Sequence, residues 1–232
     1  MILKNDCRFF KGDRPCDPHK ENGVKCDDCT YYQPIKSKIL IIKLDAVGDV
    51  LRTTSILKPL KKKYLDSYIE WCTRYNSLEL FKNNPLVDEV IIIEADALSR
   101  ISAEEYDIVI NLDTSKLSCA IASSSLAKKK FGFVLNKKGY VEATSDDAQR
   151  WLEMSAFDDV NIANTKSYQQ IMYEILGRDF PVEPPIINIT DKDRTKIEAK
   201  DFVKNITLQK PVIGLNVAVG TKWPSKGWPL NK

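Results

Sequence analysis

Apolar positions along this chain fall into short runs separated by amphipathic stretches. The run KILIIKL at 38–44 is almost continuously apolar, the mark of a strand covered on both faces. Further strand-like runs stand at 68–73 (YIEWCT), 89–94 (EVIIIE), 106–113 (YDIVINLD) and 129–135 (KKFGFVL). Helical spacing occupies 50–63, 76–82, 115–127 and 166–177. Pro59 lies inside the first of these and is expected to kink or shorten it. Strands that alternate with helices predict an α/β domain with a parallel sheet and right-handed crossovers.

This rhythm stops at 178–188, RDFPVEPPIIN, where Pro181, Pro184 and Pro185 predict a semi-rigid linker. Beyond it lie a charged helix at about 191–206, a strand at 211–217 and a turn at 218–229. One strand and one helix cannot bury a core of their own. The last segment is therefore expected to be the start of a second domain continued in a longer protein. Residues 1–36 are polar and loop-like. The expected organisation is a cysteine-rich module at 1–36, a Rossmann-like domain at 38–180, a linker at 181–188 and the beginning of a second domain at 189–232.

Composition narrows the class. Of 232 residues 43% are hydrophobic and 29% charged, an ordinary globular balance, and the net charge of +3 gives no field that argues for nucleic acid. No apolar run approaches the roughly 20 residues of a membrane span, and 1–36 has no secretory-signal pattern. A cytoplasmic protein with reduced cysteines is expected. Four of its six cysteines, Cys7, Cys16, Cys26 and Cys29, fall within 23 residues, and Cys26 and Cys29 form a C-x-x-C pair. In a reducing compartment that cluster predicts structural zinc on four thiolates. His19, the single histidine, is the alternative ligand, and an iron–sulfur cluster is the alternative centre. Seven basic against six acidic residues in 1–36 leave no basic face for a nucleic-acid finger.

Two loops carry candidate chemistry. After the 38–44 strand comes LDAVGD, with Asp45, Gly48 and Asp49, followed by Thr53 and Thr54 at the start of a helix. A single glycine does not make the three-glycine dinucleotide fingerprint, so an NAD or FAD site is not expected. Ligands of open parallel sheets nonetheless bind at the carboxyl ends of the strands, where this turn lies. Gly48 would allow a tight turn beside a ligand. From local rules alone Asp49 reads as a helix N-cap. The second loop, AVGTKWPSKGWP, carries Gly220, Thr221 and Lys226 between Trp-Pro pairs, and its donors and charge suit phosphate.

Together the stretches ILIIKLDAVGDVLRTTSILKPLKKKY and IGLNVAVGTKWPSKGWPLNK resemble glycosyltransferase family 9, the heptosyltransferases of lipopolysaccharide core synthesis. NNPLVDEVI at 83–91 resembles the family's approach to its third strand. The resemblance implies a GT-B fold, two facing Rossmann-like domains with the active site between them. It implies inverting transfer from an ADP-heptose-like nucleotide-sugar donor to a lipid-linked glycan, with no metal needed for transfer. It makes Asp49 the general base, with Lys226 and Thr221 on the donor diphosphate. Asp45 stands where the family has a small neutral residue, and Ser55 where it often has Pro. A second carboxylate beside the base is expected to raise the pKa of one of the two. The family's C-terminal half supplies most donor-binding groups, so the 232-residue chain alone is expected to be inactive. The lysine runs at 61–63 and 128–130 are candidates for peripheral contact with the inner membrane face. The rival reading is a non-catalytic module in which a metal knob and a Rossmann-like domain dock to a partner. An epimerase or other nucleotide enzyme is disfavoured by the missing glycine fingerprint.

Overall fold

The computed structural model describes residues 2–177, 183–200, 213–215 and 227. The chain divides into two compact units, Met1–Asn188 and Ile189–Lys232. In the first unit, a short helix α1 (Asp17–Asn22) precedes β1 (Ser37–Ile42). Next come α2 (Val47–Thr53), a 3-10 turn (Thr54–Ile56), α3 (Leu57–Lys63) and β2 (Ser67–Thr73). A 3-10 stretch (Tyr75–Phe81) leads to β3 (Glu89–Ile92), α4 (Ala95–Ala103), β4 (Glu105–Asn111) and α5 (Lys116–Ser124). Then follow β5 (Leu126–Leu135), β6 (Val141–Ala143), α6 (Asp146–Ala156), α7 (Asp158–Ile162) and α8 (Tyr168–Ile175). In the second unit, α9 (Asp191–Glu198) opens on a capping box in which Thr190 and Asp193 bond each other's backbone N–H.

The strands form one six-stranded sheet in the order β3-β2-β1-β4-β5-β6. It is parallel except for the β5–β6 pair. The α/β architecture with a mostly parallel sheet is the one that the alternation of apolar runs predicts. Ile39, Leu40, Ile41 and Ile42 of β1 are fully buried, because helices cover both faces. Ile39 and Ile41 join Val50, Leu57 and Met172 on one face, while Leu40 and Ile42 join Ile101 and Ile121 on the other. At about 1.5–3 kcal/mol for each fully buried aliphatic side chain, this strand is the hydrophobic axis of the domain.

Several elements depart from expectation. The helical run begins at Val47, not 50, and is interrupted at Thr54–Ile56 rather than at Pro59. Pro59 falls in the first turn of α3, where its missing N–H costs little. The Ser55 carbonyl, four residues back, accepts instead from the Tyr173 hydroxyl at 2.8 Å. The 76–82 helix is a 3-10 stretch. β6, an antiparallel edge strand, and α4, α6 and α7 lay outside the sequence expectation. The β5–β6 turn is built on Gly139 at φ +81° and on Asn136, whose side chain accepts from Lys138 N and Tyr140 N, both at 3.0 Å. α6 carries Ser145 as a true cap and Asp146 and Asp147 in its first turn, a legible start signal.

The lysine runs are partly used inside the fold. Lys61 bonds Asp88 at 2.7 Å and the Ser67 carbonyl at 2.8 Å. Lys128 pairs with Asp107 at 2.7 Å, and Lys130 donates to the Ser123 carbonyl at 3.0 Å. No helix among the described residues is long and apolar enough to cross a membrane.

Candidate active site at the carboxyl ends of the strands

From β1 the chain first builds β2 and β3 on one side, then returns to place β4 on the other. The strand order therefore reverses between β1 and β4. In open α/β sheets the crevice that takes ligands opens at this reversal, outside the carboxyl ends of the strands. The residues leaving β1 (Lys43, Asp45, Asp49) and β4 (Asp113) meet there.

Asp113 pins the two strand ends together. Its Oδ2 accepts from the backbone N–H of Leu44 at 3.2 Å and of Asp45 at 3.3 Å, and its Oδ1 from Ser115 N–H at 3.1 Å. Lys43 is buried, with its Nζ 4.0 Å from Asp113 Oδ2. Burial pulls the Lys43 ammonium below the ordinary lysine range, and Asp113, Asp49 and Asp45 oppose that pull. Replacing Asp113 by Ala is expected to cost about 2–3 kcal/mol, since it strands a buried cation and removes acceptors from three backbone donors. Asp113→Asn keeps the acceptor and is expected to cost about half as much. Urea unfolding at unchanged m checks both values.

The turn itself contains a cis peptide bond between Asp45 and Ala46. The N-cap of α2 is Ala46, without a side-chain cap bond. Asp49 is thus no cap. It is the third residue of the helix, because the chain enters helical geometry earlier than the sequence suggests. Gly48 likewise sits within the first helical turn. Its φ is not positive, and nothing lies within 4 Å of where a Cβ would stand. Its part is an open backbone surface, not a conformation that only glycine adopts.

Asp49 is one-third exposed and pairs with Arg52, one turn on. Arg52 lies over the Tyr168 ring at 4.1 Å. The Tyr168 hydroxyl meets Thr53 Oγ1 at 3.0 Å, and Thr53 Oγ1 donates to the Asp49 carbonyl at 2.7 Å. Burial pushes the Tyr168 phenol up to about 12, so it stays protonated at neutral pH. Asp45 has its own cation, Arg74, at 2.7 Å. The two carboxylates expected to repel one another thus each hold a separate guanidinium.

Thr53 and Thr54 are fully buried. Thr54 Oγ1 donates to the Leu51 carbonyl at 2.6 Å and accepts from Ile186 N–H at 2.7 Å. Both hydroxyls are engaged in hydrogen bonds that hold the turn. Gly220, Thr221 and Lys226 lie outside the described residues. Sequence reading missed Lys43, Arg52, Arg74, Asp113 and Tyr168. Lys43 and Asp113, polar residues closing apolar runs, were a usable signal. Arg74 and Tyr168 come from distant segments and gave none.

An open, mostly parallel sheet with charged side chains gathered at its reversal point is a Rossmann-like arrangement. The resemblance to glycosyltransferase family 9 holds in both fold and sequence. The glycosyl transferase family 9 structure from Veillonella parvula DSM 2008 superposes with a TM-score of 0.64 at 20% identity, covering 84% of this chain and 57% of that one. Lipopolysaccharide heptosyltransferase 1 of Campylobacter coli is 31% identical over 108 residues, 43% of this chain and 31% of that protein. The chain thus spans about a third of the length of this curated relative. No family model matches the chain.

Proposed function

We propose that the chain supplies the acceptor-side domain of a glycosyltransferase. The enzyme moves a heptose-like sugar from a nucleotide-diphosphate donor to a lipopolysaccharide core or other cell-surface glycan. The position of Asp49 carries this reading. It is a partly exposed carboxylate on the first helical turn after the central strand, beside the reversal of strand order. The acceptor hydroxyl attacks the anomeric carbon, and its proton passes to an Asp49 carboxylate oxygen. The bond from the anomeric carbon to the phosphate oxygen breaks, and the nucleoside diphosphate leaves from the opposite face, which inverts the centre.

Arg52, braced on Tyr168, orients Asp49. Gly220, Thr221 and Lys226 would hold the departing diphosphate, a role that rests on the motif resemblance alone. Transfer of this kind needs no metal. A lipid-linked acceptor places the work on the cytoplasmic side, with peripheral contact at the inner membrane face.

The test is a donor screen with the full-length protein, an acceptor of lipid A bearing inner-core sugar, and a panel of nucleotide-diphosphate sugars that includes ADP-heptose. Mass spectrometry should show one added sugar, and NMR of the product an inverted linkage. No transfer from any donor, together with no ADP binding by calorimetry, would sink the proposal.

A further inference from the structure

Residues 2–36 have almost no core. Pro18 is the one buried residue among them. A segment so poor in apolar burial needs some other staple to hold its shape. The structure brings its four cysteines together. Cys7 sits on a bridge to Pro34, Cys16 at the N-cap of α1, and Cys26 and Cys29 in a following turn. All four line a single cavity of about 20 Å³, walled in part by Phe9 and Phe10. None is in a disulfide.

We propose that this cavity binds one zinc ion through the thiolates of Cys7, Cys16, Cys26 and Cys29, as a structural staple. Four thiolates from separate backbone segments are the donor set of a closed tetrahedral zinc site. The volume is that of about one water-sized particle, room for a single ion. Lys4 on the cavity wall and Lys25 beside Cys26 offset the excess negative charge of the tetrathiolate. His19 does not line this cavity. It borders a neighbouring one, and its Nδ1 is 2.9 Å from the Val24 carbonyl.

The four cysteines border the cavity without closing on a common point. Among the described residues no three His, Cys, Asp or Glu are grouped to hold an ion as they stand. Coordination therefore requires the cysteine side chains to turn inward and the turn at 26–29 to close. Binding of the ion is coupled to ordering of the module.

The staple acts on one place in the domain. Next to Cys7, Arg8 pairs with Asp88 and donates to the Ser67 carbonyl at 2.8 Å. These contacts lie at the amino ends of β2 and β3, opposite the Asp49 end of the sheet. The zinc thus anchors residues 2–36 to the base of the domain and takes no part in transfer.

The experiment uses the full chain, purified anaerobically under reductant and titrated with zinc alone. Elemental analysis should show one zinc per chain, and cobalt substitution should give the visible bands of tetrahedral thiolate. Cys26→Ser/Cys29→Ser should weaken zinc binding at least about a hundredfold, while His19→Asn leaves the cobalt spectrum unchanged. Zinc should also raise hydrogen-exchange protection in residues 2–36 and leave β1 and α2 unaltered, a readout that does not depend on a variant folding. The proposal is overturned if no zinc binds or if the double variant binds equally well. Iron with acid-labile sulfide, or a cobalt spectrum altered by His19→Asn, would overturn it too. None of these outcomes depends on whether the protein transfers sugar.

Discussion

Asp49→Asn should lower the turnover of sugar transfer by the full-length protein by about 10²–10⁴-fold, the usual contribution of a positioned general base. The amide keeps the shape of the side chain and still accepts from Arg52, but it cannot take the acceptor proton. The Asp49–Arg52 pair is exposed on both sides, with side-chain exposures of 35% and 46%. Solvent screening leaves such a pair little energetic weight, so unfolding stability should change by less than about 0.5 kcal/mol. Donor KM should hold while kcat falls, because the lost interaction acts in the transition state. Asp45→Asn is the matched control. Asp45 is bound to Arg74 and should keep near-normal turnover. If Asp45→Asn were the variant that lost activity and Asp49→Asn kept it, the base would be assigned to the wrong carboxylate.

The largest effect on stability is expected at Gly132, an uncharged position beside the end of β4. Gly132 lies in β5 opposite Asn111 of β4, at φ +93°. A Cβ there would stand 1.9 Å from the Asn111 carbonyl oxygen. That oxygen is backbone in a central strand and cannot move aside. The Asn111 side chain is also committed, donating from Nδ2 to the Phe133 carbonyl at 2.7 Å. Gly132→Ala must therefore prise β4 from β5 next to the strand end that carries Asp113. The cost should be about 3–5 kcal/mol, from a disallowed φ plus the backbone clash. For a chain of this size that is about 6–20 °C in Tm. Gly139→Ala separates the two causes. Gly139 also has a positive φ, +81°, but open space around it, so only the conformational cost remains. A thermal melt showing equal losses for the two variants would remove the clash argument.

Much of this protein was legible before its structure. The apolar run at 38–44 showed a strand buried on both faces, and five such runs alternating with helices implied the parallel sheet. These are local signals, since burial on two faces demands a continuous apolar stretch whatever it packs against. β6 escaped because a three-residue strand has too short a pattern to stand out. Its evidence is the Asn136 and Gly139 turn chemistry. Local rules misplaced Asp49 as a cap, because the helix start is decided by the path of the chain out of β1 and not by the best capping residue nearby.

By itself the sequence determined the fold class, the family resemblance, the acidic turn after the central strand and the presence of four clustered cysteines. Each is a matter of residue type and spacing along the chain, which the covalent order contains in full. Only the tertiary structure decided which charges meet. Asp113 is bonded to the turn it holds from 68 residues away, Arg74 takes Asp45 from 29 away, and Tyr168 reaches Thr53 across 115. It also placed the four cysteines around one cavity at the end of the sheet opposite Asp49. Such partnerships depend on strand order and register, and these are set by the packing of the whole sheet and not by any stretch of neighbours.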